Sequence, residues 1–295
     1  MSYTQETVNE NARSPLDFAR WLIDEQLIHD APRCHGCRRY MSLRRSRSFK
    51  RDRCEWKCNG CRRRRSIRTG SQYLDHGNLS VVQQTRLGIA FDANATALST
   101  SKQWAISRQT IGAYFQRYRQ LVSTAWQARI ASGEQNFTGG VVEADCMTIV
   151  DCYDNVNRVV VPVCHIFGLL EVPTGRVRLF RVANQQQATL LPLIQQVVPH
   201  GSIIMTDSHK AFWNLQELPY YHFTVNHSAG DYAHDDVDLM GNNIRVTTNH
   251  IEQVWARFRP FVRCSHQRFI AAIDLSMDVF SHRDSGHSLF DVFKS

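Results

Sequence analysis

Three acidic residues occupy positions at which the surrounding sequence suggests a shared metal site. Asp145 lies inside the apolar run VVEADCMTIV, Asp207 directly follows the run SIIMT, and Glu252 stands in the amphipathic segment TTNHIEQVWARFR. An ionised carboxylate within an apolar strand is costly unless it is paired or bound to a metal. Carboxylate oxygens suit Mg²⁺ and Mn²⁺, and two such ions about 3.5–4 Å apart promote phosphodiester cleavage. The three acids are therefore candidate ligands of catalytic Mg²⁺ or Mn²⁺.

The surroundings of these acids add two secondary candidates. Asn249 precedes Glu252 by three residues, which places both on one side of a helix. His227 follows a predicted strand and is a candidate for contact with phosphate. Another interpretation of the acids stays open: Asp207 is a surface residue at the end of a strand, and Glu252 is a residue favoured near a helix N-terminus by the helix dipole.

Four cysteines show the spacing of a zinc ribbon. Cys34 and Cys37 form one C-x-x-C pair, and Cys58 and Cys61 form a second pair after twenty intervening residues. Two such pairs supply the four thiolates of a structural Zn²⁺ site. A segment of this size has too small a core to fold alone, so zinc is expected to supply much of its folding free energy. The alternative is a redox or packing role. Cys54 fits neither pair and is predicted to be a spare thiol, with an alternate zinc ligand as the other interpretation.

Positive charge is concentrated in the same segment. Residues 33–68 contain fifteen Lys and Arg but only two acidic residues, whereas the formal net charge of the whole chain is +8. A basic module on a slightly acidic body indicates a polyanionic partner, and arginine suits bidentate contact with phosphate. A solvated charged face is the simpler alternative. The predicted DNA-binding residues are Arg38, Arg39, Arg44, Arg45, Arg62, Arg63, Arg64, Arg65 and Arg68.

The elements that must position these residues change type along the chain. Helical periodicity predicts helices over 14–29, 79–91, 96–104 and 108–130, and the last two are compatible with a helix-turn-helix. Beyond residue 140, apolar and β-branched runs predict strands over 140–150, 158–172, 176–182, 202–206 and 222–225. Helices are predicted over 188–198, 210–215, 249–258 and 269–280, with a loop over 231–247. Three antiparallel strands followed by alternating helices and strands is the order of an RNase H-like fold.

The sequence therefore predicts an α/β (α+β) protein with several parts. We expect an N-terminal helix and zinc ribbon over 1–71, a helical DNA-binding region over 72–135, an RNase H-like mixed five-stranded sheet with flanking helices over 136–282, and a tail over 283–295. A hydrophobic fraction of 43% and a charged fraction of 21% exclude a disordered chain.

Several features indicate where the protein is found. The chain has no apolar run of about 20 residues, the length that a membrane helix needs. Its polar N-terminus lacks the apolar stretch of a signal peptide, so neither a membrane location nor secretion is expected. The odd number of cysteines, nine, agrees with a reducing compartment.

Six short motifs carry a resemblance to a known family: C-N-G-C at 58–61, S-I-R-T-G-S at 66–71, V-E-A-D at 142–145, T-D-S at 206–208, V-N-H-S at 225–228 and T-N-H-I-E-Q-V-W at 248–255. Together they resemble Merlin-type transposases and their bacterial ISXO2-like relatives. The resemblance implies a cut-and-paste DDE transposase, with Asp145, Asp207 and Glu252 as ligands of Mg²⁺ or Mn²⁺ and structural Zn²⁺ in the ribbon. Some bacterial relatives have Asn in the third position, which supports Asn249 as a secondary candidate.

The same resemblance implies partners and a location. The expected partner is double-stranded DNA, both as terminal inverted repeats and as target, and the expected assembly is a homo-oligomer because two DNA ends are brought together. The location is expected to be nuclear in a eukaryote and otherwise cytoplasmic.

Three departures from the family pattern favour a divergent or domesticated copy. Cys146 stands where the family often has an acidic residue, the segment 151–157 is short and acidic, and the last motif is followed by Arg257 and Arg259 where Lys is common. The alternative function is therefore a non-catalytic DNA-binding protein derived from a transposase. An RNase H-like nuclease without transposition is a third hypothesis.

Overall fold

The computed structural model describes residues 3–71, 73–74, 77–154, 159–238, 240–264 and 270–294. The chain divides into two compact units, one formed by Met1–Tyr118 with Ser288–Ser295 and the other by Arg119–His287. Each unit has hydrophobic core residues of its own. None of the described helices combines the length and the apolar character that crossing a bilayer requires.

The first unit begins with two short helices and a three-stranded antiparallel sheet. The helices are α1 Gln5–Asn11 and α2 Pro15–Asp24, and the strands, in the order β1-β2-β3, are β1 Met41–Arg45, β2 Cys54–Cys58 and β3 Arg64–Ser66. The start of α2 follows from its sequence, because the Ser14 hydroxyl accepts a hydrogen bond from the Asp17 N–H at 3.1 Å and a proline occupies the first turn. The buried side chains of α2 share one core with Trp56 of β2.

Three helices follow this small sheet: α3 Val81–Asp92, α4 Ala97–Trp104 and α5 Arg108–Ala131. Ser80 and Thr96 cap α3 and α4 with reciprocal side-chain hydrogen bonds. Helix α4 ends at Trp104, the following Ala105 has a left-handed φ of 52°, and α5 starts at Arg108. The predicted short helix, break and long helix are thus present, whereas their role in reading DNA stays a prediction. The boundary between the two units falls within α5, after Tyr118, and the 3-10 helix at Leu289–Phe293 belongs to the first unit.

The second unit is organised around a five-stranded mixed sheet of order β6-β5-β4-β7-β8. Its strands are β4 Val141–Asp154, β5 Val159–Glu171, β6 Arg176–Val182, β7 Ile203–Asp207 and β8 Tyr221–Val225. Strands β4, β5 and β6 are antiparallel neighbours, whereas β7 runs parallel to β4 and to β8. The predicted RNase H-like mixed sheet is confirmed. Part of the acidic segment 151–157 lies outside the described residues.

Helices connect these strands and cover both faces of the sheet. They are α6 Gln187–Val197, α7 Asn249–Cys264 and α8 Ile270–Asp284, with 3-10 helices at Lys210–Glu217 and His227–Ala229. Val142 and Ala144 of β4 share a core with α6, whereas Met147 shares a core with α7 and α8. This is the alternation that the sequence predicts for β4, and it places Glu143 and Asp145 on the α7 side.

The segment 231–247 differs from the predicted loop. It forms an antiparallel pair of strands, β9 Ala233–Val237 and β10 Asn243–Thr247. The turn between them is held by the Asp238 side chain, which accepts a hydrogen bond from the Met240 N–H at 2.8 Å. Only β10 alternates, with Ile244 and Val246 packed in a small core, whereas β9 is polar between its two end residues. The sequence therefore offers one short strand pattern and not a pair.

Candidate metal centre and carboxylate site

Four cysteine sulfurs in the first unit lie close enough to share one metal ion. The Sγ atoms of Cys34, Cys37, Cys58 and Cys61 all lie within 4.8 Å of one another, and the Cys34–Cys61 and Cys37–Cys58 separations are 3.4 and 3.3 Å. Zn–S bonds of about 2.3 Å at tetrahedral angles give sulfur separations of roughly 3.8 Å. The donor set therefore fits structural zinc, and the predicted grouping of the two C-x-x-C pairs is confirmed.

The two cysteine pairs lie on turns of the same type. The Arg38 N–H donates to the Cys34 carbonyl at 2.8 Å, and the Arg62 N–H donates to the Cys58 carbonyl at 3.1 Å. Arg38 and Arg62 also share a left-handed backbone, with φ of 62° and 60°. The repeated sequence C-x-x-C-R-R thus folds twice into one local structure, and each copy supplies two sulfurs.

Backbone N–H groups within these turns point at the sulfurs. The N–H of Cys37 lowers the pKa of the Cys34 thiol, and the N–H of Cys61 contributes most to holding the pKa of Cys58 at about 6. Both effects favour the thiolate, which is the form that binds a metal.

Cys54 does not belong to the cluster. Its thiol is buried and donates to the Asp52 carbonyl at 3.2 Å. Burial raises the pKa of Cys54 to about 12, so the group stays protonated. This agrees with its interpretation as a spare thiol.

Arg68 differs from the other arginines predicted to bind DNA. It is 3% exposed, and its Nε and Nη2 atoms lie 2.6 and 2.7 Å from the Asp52 carboxylate. Nη2 also donates to the Leu79 carbonyl at 2.6 Å, and Asp52 accepts the Val81 N–H at the start of α3 at 3.0 Å. The assignment of Arg68 to DNA is therefore corrected, because its guanidinium joins the ribbon to α3. Arg65 is half-buried, and the exposed members of the set are Arg38, Arg39, Arg44, Arg45, Arg62, Arg63 and Arg64.

In the second unit, sheet register brings Asp145 and Asp207 to the same level. Ala144 of β4 pairs in parallel with Thr206 of β7, so the residues that follow them lie side by side and point to the same face. Glu252 lies in the first turn of α7, which packs on that face. The three predicted acids are thus brought together by two strands and one helix.

The electrostatics of Asp145 show this proximity. Burial is the main cause that raises the pKa of Asp145 to about 6, and the charges of Asp207 and Glu252 raise it further. Among the described residues, however, the three carboxylates do not each offer one oxygen such that all three lie within 4.8 Å of one another, as the cysteine sulfurs do.

Trp255 of α7 fixes one oxygen of Asp145. Its indole N–H donates to Asp145 Oδ2 at 2.8 Å, while the Cys146 backbone N–H donates to Oδ1 at 2.7 Å. The indole lies over Gly168, the residue of β5 that pairs with Asp145, and a Cβ there would stand 2.5 Å from the ring. A side chain at position 168 would therefore displace the ring. The sequence alone did not single out these two residues, although a glycine within a strand can signal close approach.

The remaining candidates surround Glu252. His227 Nε2 lies 3.6 Å from Glu252 Oε1 and 3.2 Å from the Thr248 hydroxyl. Asn249 is the exposed first residue of α7, and its backbone N–H donates to the Thr247 hydroxyl at 3.1 Å. His227 is thus in contact with the carboxylate site, whereas the described hydrogen bond of Asn249 is made by its backbone N–H at the helix start.

Comparison with known proteins finds similarity to transposases. Residues 155–271 match the family model of the ISXO2-like transposase domain, a range that includes Asp207 and Glu252 and begins after Asp145. A Haemophilus influenzae protein described as an "Uncharacterized transposase-like protein" is 34% identical over 74 residues, which are 24% of this chain and 59% of that relative. The chain thus matches less than two thirds of the relative's length.

A solved structure described as the "Crystal structure of the Mos1 mariner paired end complex with Mn" aligns over 97% of this chain and 95% of that chain. Its TM-score is 0.27 and its identity is 11%, a level at which two folds are not shown to be the same. The predicted resemblance to ISXO2-like transposases is confirmed by the family match.

Proposed function

Because residues 155–271 match the family model of the ISXO2-like transposase domain, we propose that the protein is a DDE-type DNA transposase. It binds terminal inverted repeats and catalyses metal-dependent cleavage and transfer of DNA strands. The observation that supports this most directly is the convergence of Asp145, Asp207 and Glu252 on one face of the sheet. Carboxylates from separate elements that share one field are what two hard cations require.

In this proposal, Asp145, Asp207 and Glu252 hold Mg²⁺ or Mn²⁺. When bound, such ions activate the attacking oxygen and stabilise the leaving oxygen of the phosphodiester. The hydrogen bonds from Trp255 and Cys146 fix the orientation of the Asp145 carboxylate, and each of its oxygens keeps a lone pair for a metal. The proposed role of His227, whose Nε2 lies 3.6 Å from Glu252 Oε1, is to contact a substrate phosphate.

The first unit supplies the DNA contacts in this proposal. Zinc holds the two cysteine turns together, and the exposed arginines around them contact phosphates of double-stranded DNA. Terminal repeats and target DNA carry the same backbone charge, so this surface can serve both. A homo-oligomer follows from the need to hold two DNA ends in one reaction.

A nicking assay with a matched pair of variants tests the function. With Mg²⁺ or Mn²⁺, the wild-type protein should nick DNA that carries its own terminal repeats, and Asp207→Asn should reduce nicking by about 100-fold or more, the scale on which one electrostatic group contributes. Asp274→Asn is the control. Asp274 lies on α8 and pairs with Arg181 of β6 at 2.8 Å, so it is an acid that is not one of the three proposed metal ligands. Equal nicking by wild type and Asp207→Asn would remove Asp207 from the mechanism.

The second candidate function is a domesticated DNA-binding protein without catalysis. The observation that favours it is Cys146, where the family often has an acid: burial raises the pKa of this thiol to about 12, so it adds no negative charge beside Asp145. Such a protein would bind DNA and zinc but would not nick DNA with either cation. Its gene would also lack flanking inverted repeats and target duplications.

A further inference from the structure

Glu143 is a fully buried carboxylate in β4, two residues before Asp145. Its Oε1 atom lies 2.6 Å from Nδ1 of His250, and its Oε2 accepts the backbone N–H of Ile251 at 2.8 Å. Both donors belong to the first turn of α7, although Ile251 is 108 residues further along the chain. Burial of a carboxylate is costly unless such bonds compensate.

A helix N-terminus has unsatisfied N–H groups and a partial positive charge, which a carboxylate stabilises. Such a carboxylate normally comes from the residues just before the helix. In α7 the carboxylate is that of Glu143, which belongs to the strand that carries Asp145. The bond from the Ile251 N–H to Glu143 therefore caps the helix and also fixes where the helix begins over the sheet.

A second bond fixes the orientation of α7 on the same strand. Glu143 contacts Ile251, and Asp145 contacts Trp255 at 2.8 Å. Two residues advance about 6.7 Å along a strand, and four residues advance about 6 Å along a helix. The two bonds therefore match in spacing, and together they set both the position and the direction of the first two turns of α7.

We propose that Glu143 is a positioning residue that holds Glu252 opposite Asp145. This inference rests on the proposed function, in which Glu252 is a metal ligand. Glu252 directly follows Ile251, so any shift of the first turn of α7 moves its carboxylate relative to Asp145 and Asp207. Loss of the Glu143 bonds should therefore weaken divalent-metal binding, whereas the zinc cluster and the exposed arginines, which belong to the other unit, should be unaffected.

Glu171 provides a matched control within the same sheet. It is also fully buried, and its carboxylate accepts the Gly139 N–H at 2.9 Å and the Thr138 hydroxyl at 3.1 Å. Glu171 pairs with Val142, whose side chain belongs to the core on the α6 side, so it lies on the face away from α7. Glu143→Gln and Glu171→Gln should both lower the melting temperature, but only the first removes a support of α7.

The experiment measures two quantities on the full chain: the dissociation constant of Mn²⁺, by electron paramagnetic resonance, and the Mn²⁺ concentration for half-maximal nicking. Glu143→Gln should raise both by about tenfold or more, as is typical when a residue that orients a metal ligand is removed. Glu171→Gln should leave both near wild type. His250→Ala removes one of the two bonds at a half-exposed side chain and should give a smaller change in the same direction.

The outcomes separate this inference from the proposed function. If Glu143→Gln and His250→Ala bind Mn²⁺ and nick DNA at the same Mn²⁺ concentrations as the Glu171→Gln control, the positioning role is wrong while the transposase proposal stands. If the wild type binds Mn²⁺ with the expected variant pattern but does not nick DNA, the positioning role stands and catalysis is wrong. If the wild type binds no Mn²⁺ that depends on Asp207, both are wrong.

Discussion

The four cysteines and the three carboxylates are candidate metal sites that the chain assembles in opposite ways. The cysteines lie on two turns of the same type in one short segment, and their sulfurs lie within 4.8 Å of one another. The carboxylates come from β4, β7 and α7, and among the described residues they form no group that close. Local turns suffice for the first site, whereas the second requires sheet register and a docked helix.

The two sites also differ in where the support for their ligands comes from. Within the cysteine turns, backbone N–H groups lower the pKa of Cys34 and Cys58, whereas at Cys61 the neighbouring thiols outweigh a backbone N–H and raise the pKa to about 11. At the carboxylate site, burial and the neighbouring acids raise the pKa of Asp145. The side chains that support this site lie outside the ligand set: Trp255 donates to Asp145, and Glu143 accepts from the start of α7.

The largest expected difference between the two sites is their response to the loss of zinc. Cys58→Ser should abolish zinc binding, unfold the ribbon and abolish DNA binding, because structural zinc contributes about 10–16 kcal/mol of apparent binding free energy. Mn²⁺ binding by the second unit should persist, since no cysteine of the cluster belongs to it. Zinc content, measured by atomic absorption, should be about one ion per wild-type chain.

Cys54→Ser is the control for this measurement, because Cys54 lies outside the cluster. It should keep zinc and DNA binding. A zinc-free preparation that binds DNA like the wild type would contradict the ribbon and would leave the cysteines without a structural role.

The next largest effect is expected at Arg68. Arg68→Met leaves the buried Asp52 without its cationic partner, which should lower the free energy of unfolding by about 3–5 kcal/mol. Arg45→Met, at an exposed position in β1, should change it by about 0.5 kcal/mol or less. Denaturation by urea measures both. Equal stability of the two variants would show that the Arg68–Asp52 pair does not join the ribbon to α3.

The ribbon was predictable because its information is local. Two C-x-x-C pairs and the charges around them specify the ligands, and the structure groups the same four sulfurs. Arg68 was assigned wrongly, since a buried arginine and an exposed one look alike in a basic run, and the DNA contacts of the other arginines stay a prediction. Its partner Asp52, one of two acids in that run, was the signal that could have distinguished it.

The carboxylate site was predictable only in part. Asp145, Asp207 and Glu252 follow from acids placed within or just after apolar elements, and strand order then brings them together. Glu143 carried the same signal, an acid within an apolar strand, but its partner lies 108 residues away and no periodicity points to it. Gly168 of β5 contacts Trp255 of α7, and this contact depends only on how α7 packs on the sheet, which no local sequence pattern specifies.

A methyl group at position 168 should test that docking. Gly168→Ala places a Cβ 2.5 Å from the Trp255 ring, so the ring must move or α7 must shift. We expect a loss of about 1–3 kcal/mol in the free energy of unfolding, the usual cost of overpacking. Asp145 should lose its indole donor, with weaker Mn²⁺ binding as a result.

Gly112→Ala in α5 is the matched control, since a Cβ there has nothing within 4 Å. Alanine is the better helix former by about 1 kcal/mol, so this variant should be slightly more stable than the wild type. If the two replacements change the free energy of unfolding in opposite directions, the contact with Trp255 is confirmed as the cause of the loss at position 168. An equally stable Gly168→Ala variant with normal Mn²⁺ binding would show that the indole is not needed at Asp145.

The smallest effect concerns single arginines on the ribbon. If six phosphates are neutralised, the logarithm of the DNA association constant should fall with the logarithm of salt concentration with a slope of about −5. Arg45→Gln should make this slope shallower by about 0.9 and weaken binding to all sequences alike. Arg181→Gln in the second unit, where Arg181 is paired with Asp274, should leave the slope unchanged. Fluorescence anisotropy at several salt concentrations measures the slopes, and a larger change for Arg181→Gln would move the main DNA contact from the ribbon to the sheet.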